Sequence, residues 1–230
     1  MSTRARSFEG FLRGRRRGFV AADPRRVVAA CAAVVRLAWD VGGPDLQGAV
    51  PGADEVEAAL GLVERWAAGG APPEEPDPFL PAVQAAARAG SVARTARLAA
   101  LAALGLDPEI DDAFDRAPEV ADAAAGTPFQ WVVAAEPAAD AVWFLAILAK
   151  RVATGQEGTP AWRASWTADL CRRAALVLYA AGERERRGRR WASEDRVLVA
   201  MRAASRPAPG HPLGRFLRGD GRARAKLSRP

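Results

Sequence analysis

The chain has few of the side chains on which metal sites and nucleophilic catalytic sites depend. Its 230 residues include one histidine, His211, and two cysteines, Cys31 and Cys171. A zinc finger or a disulfide-stapled fold needs more such residues, so both are excluded. His211 lies in a stretch rich in proline and glycine, which argues against a Ser-His-Asp or Cys-His mechanism. We therefore expect no cofactor and no catalytic centre built on histidine or cysteine.

Residues that favour β-strands are scarce, whereas alanine is abundant. There is one tyrosine, and 54 of the 230 residues are alanine. Alanine has the highest helix propensity, whereas β-branched and aromatic residues favour strands. The composition predicts an all-α fold, a compact irregular alanine-rich bundle of about eight to ten helices. Both cysteines fall on predicted helices and are expected to be buried and reduced.

Helix starts are marked by an aspartate or threonine followed by proline. The side-chain oxygen caps free backbone N–H groups, and proline fits the first helical position. Glycines mark the helix ends. The five pairs are Asp23-Pro24, Asp77-Pro78, Asp107-Pro108, Thr127-Pro128 and Thr159-Pro160. The helices predicted in this way span residues 24–40, 54–68, 78–89, 91–104, 108–116, 118–125, 128–135, 137–154, 160–181 and 193–204.

Helix 137–154 is apolar on nearly every side of its middle, so we predict that it is the central helix of the bundle. Its uninterrupted apolar run, residues 141–149, is much shorter than the ~20 residues of a membrane span. The N-terminus lacks the apolar core of a signal peptide. We therefore predict a cytoplasmic protein with no transmembrane segment.

Charge is strongly segregated along the chain. Residues 1–26 carry a net charge of +6, residues 27–181 carry −9, and residues 182–230 carry +9. This pattern predicts a basic N-terminal arm (residues 1–22), a helical body (23–205) and a basic tail rich in proline and glycine (206–230). A proline-rich connector, residues 69–77, is a possible boundary between two helical subdomains.

The arginine-rich ends are the leading candidates for a binding surface. Arginine clusters can bind nucleic-acid phosphates or an anionic membrane surface. They can equally dock on the protein's own acidic middle, on a second copy or on an acidic partner. Membrane-surface contact is the least favoured of these alternatives. The candidate residues are Arg15, Arg16, Arg17, Arg186, Arg187, Arg189, Arg190, Trp191, Arg215, Arg218, Arg222 and Arg224.

Clustered carboxylates give the one enzyme-like pattern. Asp111, Asp112 and Asp115 resemble the D-D-x-x-D motif of class I terpene cyclases and prenyltransferases, which are also all-helical. The resemblance implies magnesium ions held by these aspartates and gripping a diphosphate. The family's second metal motif has no counterpart in this chain, so no metal site is assigned. Glu136 and Asp140, four residues apart, are a second candidate pair for acid–base chemistry.

Tryptophan is frequent enough to serve both core and interface. Trp39, Trp66, Trp143, Trp162 and Trp166 fall on apolar helical faces and are predicted to be core residues. Interfaces are anchored most often by tryptophan and arginine. The candidate anchors are therefore Trp131, Trp191, and the neighbouring pairs Arg172–Arg173 and Arg190–Trp191.

Taken together, these patterns favour a non-catalytic helical interaction or scaffolding subunit of a larger, bacterial assembly. A partner protein or self-association is expected. The alternative is a nucleic-acid-contacting protein that uses its arginine-rich ends. A magnesium- and diphosphate-dependent enzyme using the D-D-x-x-D motif is third.

Overall fold

A computed structural model describes residues 23–74, 77–103, 105 and 129–180. Within these ranges the chain is helical and contains no strand, so the all-α prediction is confirmed. The predicted helices 108–116, 118–125 and 193–204, the basic arm and the basic tail lie outside the described residues. The described helices are α1 (Pro24–Ala49), α2 (Ala53–Ala67), α3 (Leu80–Ala103), α4 (Phe129–Ala153) and α5 (Pro160–Ala180).

Two of the predicted helix starts are confirmed at atomic detail. Asp23 Oδ1 accepts a hydrogen bond from the Arg25 backbone N–H at 3.0 Å, which caps α1. Thr159 Oγ1 accepts from the backbone N–H of Trp162 at 3.2 Å, which caps α5. In both cases the following proline occupies the first position of the helix.

The start predicted at Asp77-Pro78 is wrong by two residues. The carboxylate of Asp77 does not cap the helix but accepts a hydrogen bond from Lys150 Nζ at 2.6 Å. Phe79 has a φ of 74°, which is incompatible with a right-handed helix. Its side chain is nevertheless fully buried and packs edge-on against Trp66. Helix α3 therefore begins at Leu80, because tertiary packing of Phe79 overrides the local signal.

The predicted break at Gly90 is absent, and helices 78–89 and 91–104 form the single helix α3. Gly90 is buried against α4. A Cβ atom added at Gly90 would lie 2.9 Å from Asp140 Oδ1 and 3.9 Å from the Cβ of Ala139. The glycine thus permits the close approach of α3 and α4, and it does not mark the end of a helix.

The predicted break before Pro137 is also absent, and α4 runs through this proline. A proline inside a helix removes one backbone hydrogen bond. Ala134, Ala135, Ala138 and Ala139 around it are all buried, so packing on neighbouring helices offsets that loss. A single helix therefore replaces the predicted pair 128–135 and 137–154.

Helix α1 extends beyond its predicted end at residue 40, but it breaks at Gly43. This glycine has φ 57° and ψ −154°, and Pro44 follows it. The short helical piece after the break is held by Leu46, which is fully buried. The Gly-Gly-Pro signal therefore marks a kink between two helical pieces.

Helix α4 packs against all four of the other described helices, which confirms the prediction of a central helix. Gly90 of α3 faces Ala139 and Asp140 of α4, and the buried residues around these positions on both helices are nearly all small. We call this contact the small-residue seam. Its buried members are Ala82, Ala86, Ala89, Gly90 and Ala93 on α3 and Ala134, Ala135, Ala138 and Ala139 on α4.

Both cysteines are buried and free, as predicted. The thiol of Cys31 on α1 donates to Thr167 Oγ1 on α5, with a sulfur–oxygen distance of 3.9 Å. Burial raises the pKa of Cys31 from 9.0 to about 12 and raises the pKa of Cys171 well above 9.0, with Cys31 contributing to the latter. Neither thiol is therefore a nucleophile in the native fold.

Charged side chains join the helices from outside the core. Arg36 on α1 donates to Glu57 at 2.5 Å and to Glu64 at 2.7 Å, both on α2. The hydrogen bond to Glu64 is the main reason that the pKa of Arg36 is raised. Arg97 on α3 pairs with Glu136 on α4, and both side chains are almost buried.

Two of the described helices, Pro24–Ala49 and the segment Gln130–Ala153 of α4, are long and apolar enough to cross a membrane. This differs from the prediction because alanine raises the mean hydropathy of segments that lack a long uninterrupted apolar run. In the fold, 56% and 61% of the two apolar windows are buried. The core helices of soluble proteins meet the same criteria of length and composition.

Candidate binding surface

The two carboxylates predicted as a possible acid–base pair are held separately by arginines. Glu136 pairs with Arg97, and Asp140 Oδ2 accepts a hydrogen bond from Arg173 Nε at 3.2 Å. A general acid–base pair requires two carboxyl groups with different proton affinities facing a common space. The observed pairs instead join α4 to α3 and α4 to α5.

Four aromatic rings lie together where α4 and α5 meet. Trp143 and Phe144 come from α4, and Trp162 and Trp166 come from α5. The centroids of the four contacting ring pairs are 4.6–5.8 Å apart, within the range of favourable aromatic contacts. All four side chains are half-buried and pack against the core. Trp39 and Trp66, by contrast, are buried as predicted.

Three of these rings and two arginines form a continuous row of contacts. The guanidinium of Arg151 lies 4.5 Å from the ring centroid of Trp162, and that of Arg173 lies 4.2 Å from the centroid of Phe144. Between them, Trp162 stacks on Trp166 at 4.9 Å, and Trp166 contacts Phe144 at 4.6 Å. We call these five residues the Arg–aromatic ladder. Such cation–π and ring contacts are each worth ~0.5–1.5 kcal/mol.

Helical spacing places the members of the ladder on adjoining faces. Phe144 and Arg151 are seven residues apart on α4, and Trp166 and Arg173 are seven apart on α5. Residues at this spacing lie on the same side of a helix, two turns apart. The indole N–H of Trp166 donates to the backbone carbonyl of Phe144 at 2.8 Å, which ties the two helices together.

The loop before α5 passes close to Trp162 at one end of the ladder. Gly158 has a φ of 64°, and a Cβ atom added there would lie 3.3 Å from ring atoms of Trp162. Glycine at this position satisfies both the left-handed backbone and the close approach to the ring. The indole of Trp162 is thus contacted by Arg151 and Trp166, and a side chain at position 158 would crowd its ring.

The two ends of the ladder differ in charge. Arg173 donates to Asp140 Oδ2 and to the backbone oxygen of Asp169. The carboxylate of Asp140 therefore balances the positive charge at this end of the ladder. Burial raises the pKa of Asp169, opposed by the charge of Arg173. Burial, and then the charge of Arg173, lowers the pKa of Arg172. Arg151 contacts the Trp162 ring, and no carboxylate of the described residues pairs with it.

The arginines and Trp191 predicted as binding residues lie outside the described residues, so their role stays a prediction. The same holds for Asp111, Asp112 and Asp115. Within the described ranges, no group of three or more His, Cys, Asp or Glu side chains could hold a metal ion. The predicted interface residue Trp131 is half-buried and packs against the core.

Sequence reasoning identified Arg173 but missed Arg151 and Phe144. It also assigned Trp143, Trp162 and Trp166 to the core, whereas all three are only partly buried. The sequence does contain a pattern that indicates the ladder: on each of two successive helices, an arginine follows an aromatic residue by seven positions. This pattern predicts a shared surface only if α4 and α5 are known to be neighbours.

No protein-family model, curated protein or solved structure matches this chain. The functional argument therefore rests on the geometry and chemistry of the described surface.

Proposed function

We propose that the chain is a cytoplasmic, non-catalytic helical subunit that binds a partner protein through the Arg–aromatic ladder. The ladder itself carries this proposal. Tryptophan and arginine are enriched among the few residues that supply most of the binding energy at protein interfaces. The ladder presents these residue types in one row, already ordered by ring contacts and by the hydrogen bond of Trp166. Less conformational entropy is lost when such side chains bind.

The polar groups of the described helices support a non-catalytic role. Glu136 and Asp140 are engaged by arginines, and both cysteine thiols are buried with raised pKa values. A catalytic group must instead reach a substrate in the required protonation state. The ladder offers stacked rings and hydrogen-bond donors, which suit recognition.

The test is recovery of partner proteins by the tagged full chain expressed in its source cells. We expect at least one protein that is recovered by the wild type and lost by the double variant Arg151→Ala/Trp162→Ala. Arg88→Ala is the matched control, since Arg88 is an exposed α3 arginine paired only with Glu55 at the surface. Circular dichroism must show that both variants fold. An identical set of recovered proteins for wild type and double variant would contradict the proposal.

Charge segregation favours nucleic-acid binding as a second function. The arginines of the described helices are largely engaged with carboxylates, as at Arg36, Arg97 and Arg163. The surplus positive charge lies in residues 1–26 and 182–230, which carry net charges of +6 and +9. A nucleic-acid phosphate backbone attracts such concentrations of positive charge.

Fluorescence anisotropy with generic RNA and DNA tests this second function. We expect binding that weakens steeply as salt rises and that is lost in a version ending at Ser205. Binding that is unaffected by salt, or no binding at low salt, would remove the hypothesis. Neither result bears on the ladder, which lies in the folded body.

A further inference from the structure

We propose that the proline-rich segment between α2 and α3 is a docking site for a partner protein domain that binds polyproline II chains in an aromatic-lined groove. We call residues 68–74, Ala-Gly-Gly-Ala-Pro-Pro-Glu, the proline loop. None of these residues belongs to the Arg–aromatic ladder, so the site is additional to the proposed function. The length of the connection, its fixed ends, its exposure and its composition all support this site.

The connection between α2 and α3 is longer than the packing of these two helices requires. Trp66 at the end of α2 contacts Phe79 just before α3, with ring centroids 5.3 Å apart. Further along, Glu55 on α2 pairs with Arg88 on α3, so the two helices are antiparallel neighbours. Such helices are commonly joined by ~2–8 residues. Here residues 68–79, 12 in all, lie between them. Loops of this length whose ends meet are frequently functional.

Both ends of the connection are fixed to the helical body. On the α2 side, the backbone N–H of Gly70 donates to the carbonyl of Arg65 at 3.0 Å, and the Gly70 carbonyl accepts from the guanidinium of Arg25. On the α3 side, the carboxylate of Asp77 accepts from Lys150 Nζ at 2.6 Å. The segment between these points is therefore held in place on the surface. A chain that is restrained in this way loses less conformational entropy when a partner binds it.

Between its fixed ends the chain is open to solvent. Ala71, Pro72 and Glu74 are exposed, and Pro73 is half-buried. In the part of the chain that the structure describes, no residue forms a hydrogen bond with the backbone of residues 71–74. A solvated backbone without internal hydrogen bonds is a property of polyproline II chains. The loop thus presents backbone and side chains that a partner can bind.

Proline favours the polyproline II conformation in this loop. The proline ring fixes φ at about −65°, close to the φ of about −75° in polyproline II. Proline also restricts the residue before it to extended or polyproline II conformations. Ala71 and Pro72 each precede a proline, so both are biased towards this conformation before a partner binds. In sequence, Pro73 and Pro76 are three residues apart, which is the repeat of a polyproline II helix.

The chemistry of the loop specifies the kind of partner. Protein domains that recognise polyproline II chains bind them in grooves lined by aromatic side chains. Glu74 is exposed and has no basic partner among the described residues, and Glu75 follows it in sequence. These carboxylates would repel a nucleic acid or an anionic membrane. A groove with a basic residue at its edge would complement them.

The experiment is an NMR titration of the ¹⁵N-labelled full chain with three purified probes, an SH3, a WW and an EVH1 domain, which all bind polyproline II chains. Proline has no N–H, so the amide signals of Gly70, Ala71 and Glu74 report on the loop. We expect at least one domain to shift these signals. Pro72→Ala/Pro73→Ala should weaken its binding about fourfold to thirtyfold, because the unbound loop is then less restricted.

Pro81→Ala is the matched control, since Pro81 is an exposed proline in the first turn of α3 and lies outside the loop. This variant should bind like the wild type. Glu74→Gln should weaken binding at ~0.15 M salt but not at ~1 M salt, where the attraction to a basic groove edge is screened. Circular dichroism must show that the variants keep the helix content of the wild type.

Unchanged amide signals with all three domains would overturn the inference. Binding by Pro72→Ala/Pro73→Ala that equals that of the wild type would also overturn it, because the prolines would then not be recognised. Shifts confined to signals outside residues 68–74 would reject the loop as the site. The ladder is intact in every loop variant, so none of these outcomes affects the test of the proposed function.

Discussion

The ion pair between Arg97 and Glu136 gives the sharpest prediction for the stability of the fold. The two side chains are only 12% and 13% exposed. Removing one partner of a buried pair leaves an uncompensated charge and typically costs 3–5 kcal/mol. Because the pair is not fully buried, we expect Arg97→Met to lower the free energy of unfolding by ~3 kcal/mol. For a protein of this size the melting temperature would fall by ~6–12 °C.

A double-mutant cycle tests whether the unpaired carboxylate of Glu136 causes the loss of stability in Arg97→Met. Glu136→Gln in the Arg97→Met background removes that charge while keeping the shape of the side chain. We expect the double variant to regain ~2 kcal/mol relative to Arg97→Met, a coupling typical of contacting residues. Urea unfolding followed by tryptophan fluorescence measures each free energy.

The control for this cycle is the exposed pair between Arg88 and Glu55, whose side chains are 65% and 62% exposed. Arg88→Met should cost less than ~0.5 kcal/mol, since exposed ion pairs contribute little. A loss at Arg97→Met no greater than that of the control would refute the reasoning. So would strictly additive effects at Arg97 and Glu136.

Two further predictions concern the core. Leu145 on α4 is fully buried, so Leu145→Ala should lower the free energy of unfolding by ~2–5 kcal/mol in the same urea assay. Burial raises the pKa of Cys31 in the fold from its ordinary value of 9.0 to about 12. The native state therefore holds its proton longer, and stability should fall as pH rises from 9 towards 12. Cys31→Ala should flatten that decline, and a slope identical to wild type would contradict the assignment.

Local signals predicted helix ends well only where no tertiary contact competed. Asp23-Pro24 and Thr159-Pro160 start helices as expected because their side chains are free to cap. Asp77 instead binds Lys150, and Phe79 packs into the core. The helix therefore does not start at the pair Asp77-Pro78. Gly90 looks like a helix end in sequence, but it serves contact between helices. Such conflicts depend on which helices are neighbours, which propensity alone does not specify.

The candidate surface was less accessible to sequence reasoning than the fold. Apolar periodicity correctly placed Trp162 and Trp166 on one face of α5, but it could not distinguish a buried face from a half-buried one. The outcome depends on how much of that face α4 covers. Charge analysis drew attention to the arginine-rich ends, where arginines are most frequent. The arginines of the ladder, Arg151 and Arg173, each have only one basic neighbour in sequence, and they stand out only through the aromatic rings that they contact.

In most protein cores, truncating a large side chain is the most damaging change. At the small-residue seam between α3 and α4, adding volume is expected to be more damaging than removing it. Its alanines bury little surface each, so truncating one to glycine removes a single methyl group. Adding volume is the more damaging change, because the helix backbones are already close and a methyl group at Gly90 would press on Asp140. Substitutions accepted at this seam should therefore stay within glycine, alanine and serine. The bundle can gain bulk at other positions while the spacing of these two helices stays constant.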